Sequence, residues 1–461
     1  MLATWPESAS AESIRQALAA AYVKNPRLDA ERARLRATDE EVARAKSGYR
    51  PTIEGAAEFG TQRTRTAPTS TGAGTSHPTG FGLTVSQQVF SGFRTTNSVH
   101  EAEALVRAGR ENLRQVEATV LLDAATAYAD VVRDRALVRY RENNLAILTQ
   151  ELNAAEARRA VREVTRTDVA QAQFRRARAA SDLDRAKAAL KASRAAYERV
   201  VGHAPNGVNE PPLTLKQLPR SADEAQRIAD QESPNLVSAL YREQAARHAV
   251  DRVWGELLPE FRVEAQVSHQ ADPSRSVESQ DSASLTGRLN IPLYRGGETH
   301  ARVRQAKHTH VSRLQEIEQA RSETTANVST AWSRMISARA QLKSDQVGVD
   351  AARTALEGVR EEEKVGQRTI LDVLNAEQEL LEAQVQLVTT RREIVVSSYA
   401  LLAAIGRLQS DSLGLESPVY DPDEHYRETR QNWFGLAITH ADGRRELMDV
   451  ADPEAERSGA E

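Results

Sequence analysis

From Thr95 to Glu163 apolar residues return every three or four positions, through Val99, Ala102, Val106, Leu113, Val116, Val120, Tyr128 and Val131. That spacing is the seam of a coiled coil. No proline interrupts the stretch, so it predicts one helix of roughly 100 Å at about 1.5 Å rise per residue. Thr299 to Glu363 predicts its equal. Helices of roughly half that length are expected before the strands, at about 11–48 and 222–256, and after the turns, at about 167–201 and 370–405. Gly202 and Gly406 stand where a left-handed helix end belongs. The four stretches between helices have period two instead, which predicts strands. Ile53, Gly55, Ala57 and Phe59 alternate with Glu54, Ala56 and Glu58; Phe81, Leu83, Val85 and Val89 with Gly82, Thr84, Ser86 and Gln88. Phe261, Val263, Ala265 and Val267 alternate with Arg262, Glu264, Gln266 and Ser268, and Leu285, Leu289, Ile291 and Leu293 with Thr286, Arg288 and Asn290.

One strand face is apolar and the other polar, which fits two arrangements: a transmembrane β-barrel, or an ordinary antiparallel sheet packed on the helices. The Gly, Ser and Thr-rich loop "TAPTSTGAGTSHPT" at 66–79 suits the first. Pro292 lacks a ladder donor and marks the end of the last strand. Phe59, Phe81, Phe90 and Tyr294 fall near strand ends, where interfacial girdles of a barrel would lie. Four strands cannot close a barrel in lipid, because the smallest membrane barrels have about eight. A barrel would have to be shared, with eight strands from two copies or twelve from three.

The chain repeats itself. "LTVSQQVFSGFRT" (Leu83 to Thr95) lies over "GRLNIPLYRGGET" (Gly287 to Thr299), and Tyr128 over Trp332, at a constant offset of 204 residues. "REVTRTDVAQAQ" (Arg162 to Gln173) recurs at the same offset within "KVGQRTILDVLNAEQ" (Lys364 to Gln378). Upstream, Pro51 falls on Pro259 at an offset of 208, so a variable loop is expected between Pro51 and Leu83. The first repeat spans 1–202, with strands at about 52–65 and 80–91. The second spans 221–406, with strands at about 260–271 and 283–294. A linker joins them at 203–220. After Leu436 the periodicity lapses, and a disordered tail is expected over 439–461.

Composition narrows the picture. Of 461 residues only 7 are Phe and 3 Met, and mean hydropathy is -0.55, a thin supply for a thick globular core. Interleaved charges at 27% of the chain suit long helices. A net charge of -4 argues against nucleic acid as a partner. Cysteine is absent, which removes thiolate metal sites, disulfides and a Cys nucleophile. No phosphate-binding loop or Ser, His, Asp context appears, so no enzyme activity and no cofactor are expected. His300, His308 and His310 lack the one-turn spacing of a helical metal site. No apolar run is long enough for a transmembrane helix. "MLATWPESASAES" has no basic-then-apolar leader, so an exported protein would begin here in mature form.

Taken together, "ESIRQALAAAYVKNPRLDAERARLRATDEEVARAKSGYRPTI", "VFSGFRTTN", "PLYRGGE", "VGQRTILDVLNAEQEL" and "PVYDPDEHYRETRQNWFGL" resemble the TolC-like outer membrane efflux proteins, in particular the type I secretion branch. The resemblance covers about residues 11–436. It implies a mixed, mostly α fold: a homotrimer with an α-helical barrel and a shared twelve-stranded transmembrane β-barrel. Residues 203–220 and 407–438 would then be equatorial. It also implies a site in the outer membrane of a Gram-negative bacterium, reaching into the periplasm, with outer membrane lipid around it. The implied partners are a periplasmic adaptor and an inner-membrane ABC or proton-driven transporter. The function implied is an exit duct for type I secretion or multidrug efflux. A periplasmic adaptor or coiled-coil scaffold is the alternative, although such a protein would carry one hairpin rather than two.

The twice-written phrase contains two capping boxes, Thr165 to Asp168 and Thr369 to Asp372, at the starts of helices. By the resemblance these turns are the far mouth of the tunnel. Gate candidates are Arg166, Asp168, Arg368, Asp372 and Asn375, and adaptor-docking candidates are Val164, Thr165, Val365, Gly366 and Thr369. Asn375 stands where related proteins can carry an acid, which leaves Asp372 and Glu361 to Glu363 as candidates for an acidic constriction. Arg368 precedes a helix start, where a cation is disfavoured unless a carboxylate answers it.

Overall fold

The computed structural model describes residues 11–64, 74–215, 217–274, 277–439 and 445–446. Residues 65–73 of the expected variable loop, the first ten residues, and the expected disordered tail apart from residues 439, 445 and 446 lie outside these. In chain order the elements are α1 (Ile14–Lys24), α2 (Pro26–Lys46), β1 (Thr52–Phe59), β2 (Gln62–Thr64), β3 (Gly74–Ser76), β4 (Thr79–Phe90), α3 (Arg94–Ala160) and α4 (Arg166–Val201). They continue with α5 (Ala222–Glu232), α6 (Pro234–Trp254), β5 (Glu260–Ser274), β6 (Val277–Asn290), α7 (Glu298–Lys364), α8 (Ile370–Ala404), α9 (Pro422–Thr429), β7 (Ile438–Thr439) and β8 (Arg445–Glu446). The fold is mostly helical, as expected, and the long helices α3 and α7 have 67 residues each.

Two compact units form, and each draws on both repeats. One, here the hairpin unit, comprises Met1–Arg32, Glu111–Val237 and Ala320–Tyr420. The other, the sheet unit, comprises Ala33–Arg110, Ser238–Gln319 and Asp421–Glu461. The stretch 407–438 thus divides between them after Tyr420.

Where the apolar spacing runs one helix through 11–48, the structure has two, and 222–256 divides likewise. Pro26 and Pro234 open the second helix of each pair. Proline fixes its own φ, lacks an N–H and pushes the preceding residue out of the helical region. Asn25 and Ser233 are accordingly extended, at ψ 117° in both. The Asn25 amide donates to Val200 O at 2.9 Å, and its Oδ1 accepts from Arg27 N at 3.0 Å. The break therefore costs α2 no unsatisfied cap.

In the sheet unit β1, β4, β5 and β6 form one antiparallel sheet in that order. Register sets Ile53 opposite Val85, Val85 opposite Ala265, and Ala265 opposite Leu285. One residue along, Thr52 faces Ser86, Ser86 faces Glu264, and Glu264 faces Thr286. The period-two pattern is thus aligned across all four strands, apolar on one face and polar on the other. The third and fourth strands run closer to their shared turn than expected, to Ser274 and from Val277. Polar pairs such as His269 with Asp281 line the added rungs. β1 stops at Phe59, and a short separate ladder of β2 with β3 follows. β6 ends at Asn290, before Pro292.

Strand passes to helix in each repeat through two residues of positive φ, Gly92 and Phe93 (63° each), then Gly296 and Gly297 (60° and 83°). A Cβ on Gly92 would lie 2.3 Å from Gly255 O, so position 92 admits only glycine. Among the described residues no helix is long and apolar enough to cross a membrane.

Candidate functional site

The helix reversals of the hairpin unit are built to one plan. Both long helices end in a left-handed residue, Arg162 (φ 64°) and Gly366 (φ 78°). In the first turn Arg162 N–H donates to Arg159 O at 3.0 Å and Glu163 N–H to Arg158 O at 2.9 Å. In the second, Gly366 N–H donates to Glu363 O and Gln367 N–H to Glu362 O, both at 2.9 Å. Each pair satisfies carbonyls that the helix end leaves over. The next helix then opens on its capping box. Thr165 N donates to Asp168 Oδ2 at 2.8 Å and Asp168 N to Thr165 Oγ1 at 3.2 Å. Thr369 and Asp372 repeat this at 2.9 and 3.3 Å. Backbone N–H and hydroxyl donation from the cap threonine holds each aspartate below its usual pKa.

Packing repeats with the same offset. Leu152, Ala155, Val169 and Ala172 form one small core, with Val164 and Ile370 against it. Leu356, Val373 and Ala376 form the second, with Val359 and Leu380. A third core joins the hairpins: Leu148, Ala179 and Leu374, with Leu145 and Ile370. Polar contacts tie the same hairpins together. Arg158 pairs with Glu363, and Arg175 Nη2 donates to Asn375 Oδ1 at 2.7 Å.

The sequence candidates separate accordingly. Asn375 is a partner for Arg175, so an amide at this position makes a hydrogen bond between hairpins. Arg368 Nε reaches Glu362 Oε2 at 2.7 Å, so its carboxylate lies six residues back in the same hairpin. Lys364 pairs with Glu361 at 2.7 Å. Thus each of Glu361, Glu362 and Glu363 has a cationic partner. Glu377, which the sequence did not single out, is buried and paired with Arg360; burial pushes its carboxyl up despite that arginine. Val164 is half-buried in the first core, whereas Val161 and Val365 are both exposed. Val161 was missed as a surface residue of the first turn, and the offset from Val365 would have found it. Arg166 is exposed at the first position of α4. His310 pairs with Glu243 at 2.6 Å. Among the described residues no group of three or more His, Asp or Glu could hold a metal ion.

In the sheet unit the distinctive feature is what lacks a neighbour. Among the described residues β1 and β6 each have one paired edge and one free edge, and every residue of both is exposed. Ile53, Phe59, Phe81, Leu83, Val267, Leu285 and Leu289 are large apolar residues left open to solvent by this chain alone.

Comparison with known proteins agrees with the duplication. A family model described as "Outer membrane efflux protein" matches the chain in two pieces, residues 17–203 and 226–407. The chain is 40% identical over 432 residues to the outer membrane efflux protein BepC of Brucella suis biovar 1, covering 93% of each. It is 29% identical to the alkaline protease secretion protein AprF of Pseudomonas aeruginosa, over 53% of this chain and 51% of that one. The CmeC outer membrane channel of Campylobacter jejuni shares the fold, with a TM-score of 0.78 at 14% identity over 91% of this chain and 89% of that one.

Proposed function

The chain belongs to the outer membrane efflux protein family, and from that premise we propose that three copies form the exit duct of a tripartite type I secretion or multidrug efflux system. One observation carries the reading: the four-stranded sheet has two free edges and an apolar face that no other described residue of its chain covers. In lipid every backbone N–H and C=O needs a partner within the protein, so the edges must meet other copies. Three chains supply twelve strands, and the polar face, with Glu54, Thr84, Gln266 and Ser284, then lines the lumen. The same three-fold operation gathers six hairpin ends into a ring. A periplasmic adaptor and an inner-membrane transporter complete the path, and the duct performs no chemistry of its own. The adaptor alternative has no observation in its favour.

At that ring Arg368, Asp372, Asp168, Arg166 and Asn375 set how far the hairpins stand apart. Val365, Gly366 and Thr369, with Thr165 and Val164 beneath, form the turns an adaptor grips. Arg368 and Glu362 are about half-exposed, so the pair contributes little to folding. Closed within one hairpin, it acts on opening by fixing the turn that each hairpin presents to its neighbours in the ring. Planar-bilayer recording tests both levels. The parent protein is expected to give discrete conductance steps, and Arg368→Ser larger ones. Absence of steps from both proteins would overturn the duct, while equal steps would remove Arg368 from the gate.

A further inference from the structure

The stretch "NWFGLAI", Asn432 to Ile438, follows α9 in the sheet unit. Trp433, Phe434, Leu436 and Ile438 are 60%, 92%, 69% and 53% exposed. Four large apolar residues in seven, left exposed by the described residues of their own chain, need a cover.

The preceding residues show where they stand. Asp423 pairs with Arg110 at 2.6 Å, His425 with Asp39 at 3.1 Å, and Tyr426 OH with Glu103 at 3.4 Å. Tyr426, like Ala45, also packs on Val42, Ala102 and Val106. Arg50 Nη1 then donates to Asn432 O at 2.8 Å, and its guanidinium lies 4.6 Å from the Trp433 ring. The partners advance from Asp39 in α2 to Arg50 in the turn after it, two residues before β1 begins, and back along α3 from Arg110 to Glu103. The segment therefore climbs the groove between α2 and α3 and delivers its aromatic residues to the root of the sheet.

Cations collect at the same place. Arg430 Nη2 lies 3.8 Å from Glu103 Oε1. Burial, then the charges of Arg430 and Arg50, hold the Lys46 ammonium below its usual pKa, with Glu103 opposing. Lys46 and Arg50 thus bracket the short turn between α2 and β1, and Arg430 stands beside Glu103. A second protein surface laid over them would strip their water and would have to bring its own acids. A lipid headgroup brings phosphate, and its acyl boundary takes tryptophan and phenylalanine.

We propose that Trp433, Phe434 and Leu436 seat in the headgroup–acyl boundary of the membrane around the sheet, with phospholipid phosphate held by Lys46, Arg50 and Arg430. The inference rests on the reading of the sheet as membrane-spanning. It makes the segment after α9 a lipid anchor for the root of the barrel.

Quenching by brominated lipid tests it in the assembled protein. In nanodiscs, a variant with Trp5→Phe, Trp254→Phe and Trp332→Phe leaves Trp433 as the reporter. A second variant adds Trp433→Phe and Leu285→Trp, which moves the reporter into the sheet. Lipid brominated high on the acyl chain is expected to lower Trp433 emission roughly twofold, and lipid brominated near the chain end to lower it less, as for a group about 5–10 Å deep. Adding Lys46→Gln and Arg430→Gln should weaken the shallow quenching; unchanged quenching would remove phosphate from the proposal. Quenching at position 285 without quenching at Trp433 would overturn the anchor and leave the barrel standing. No quenching at either would overturn both.

Discussion

In the hairpins large apolar side chains find each other within the chain: Leu152, Val169, Leu356, Val373 and Leu374 are all buried, although Val161, Phe174 and Val365 stay outside. In the sheet the order is reversed, with Phe59, Phe81, Leu83 and Leu285 exposed. Both regions obey their own periodicity. They differ in where the partner is. A hairpin end closes its core, its caps and its ion pairs within one chain, whereas the sheet leaves two edges and an apolar face that no described residue of the chain covers. Loss of a hairpin contact should accordingly act on folding of the chain, and loss of a sheet contact on assembly in the membrane.

The largest effect is expected at Leu374, which joins the two hairpins. Leu374→Ala should cost about 2 to 5 kcal/mol in denaturant unfolding, against less than about 0.5 for Leu371→Ala on the exposed side of the same turn. Similar costs at the two positions would mean that the hairpins do not share a core. Next comes Leu285→Arg. It should cost about 2 to 4 kcal/mol and reduce folded assembly in lipid, while Ser284→Arg, on the polar face, is tolerated. If both are tolerated, the sheet is an ordinary one and the contrast with the hairpins disappears.

Smaller effects belong to the caps. Thr165→Ala combined with Thr369→Ala should lose about 2 kcal/mol at neutral pH. Asp168 and Asp372 titrate below their usual range when folded, so their contribution is present above about pH 4 and fades as pH falls through the folded values. The melting difference between parent and double variant should therefore narrow in acid; a constant difference would show that the aspartates add nothing. The smallest effect distinguishes the two turns. Gly366→Ala should destabilise by about 1 kcal/mol, because a side chain is placed at positive φ. Arg162→Gly should be neutral or gain a few tenths, since it relieves the same strain while freeing the unfolded chain.

Most of the architecture was legible because duplication checks every assignment twice. The turn at Val365 to Thr369 and the turn at Val161 to Thr165 share secondary structure residue for residue. Other features were hidden for physical reasons. The breaks at Asn25 and Ser233 escaped because the apolar stripe runs across them, from Tyr22 to Leu28 in the first repeat, and periodicity does not register a missing N–H. The Arg175 to Asn375 contact is set by how two hairpins lie side by side, which no spacing within either one encodes. Glu377 was invisible because a charge among helical charges looks solvated until a neighbouring helix covers it. The aromatic residues after α9 carried no role in the sequence beyond closing the stretch 407–438. Only the succession of contacts from Asp423 to Trp433 locates them.

The central claim is that one chain holds a third of a barrel. Native mass measurement in mild detergent tests it most directly. The account predicts a single species of three 50.7 kDa chains, with no folded monomer persisting on dilution, because a lone sheet would leave both edges unsatisfied. A stable, monodisperse monomer would contradict it.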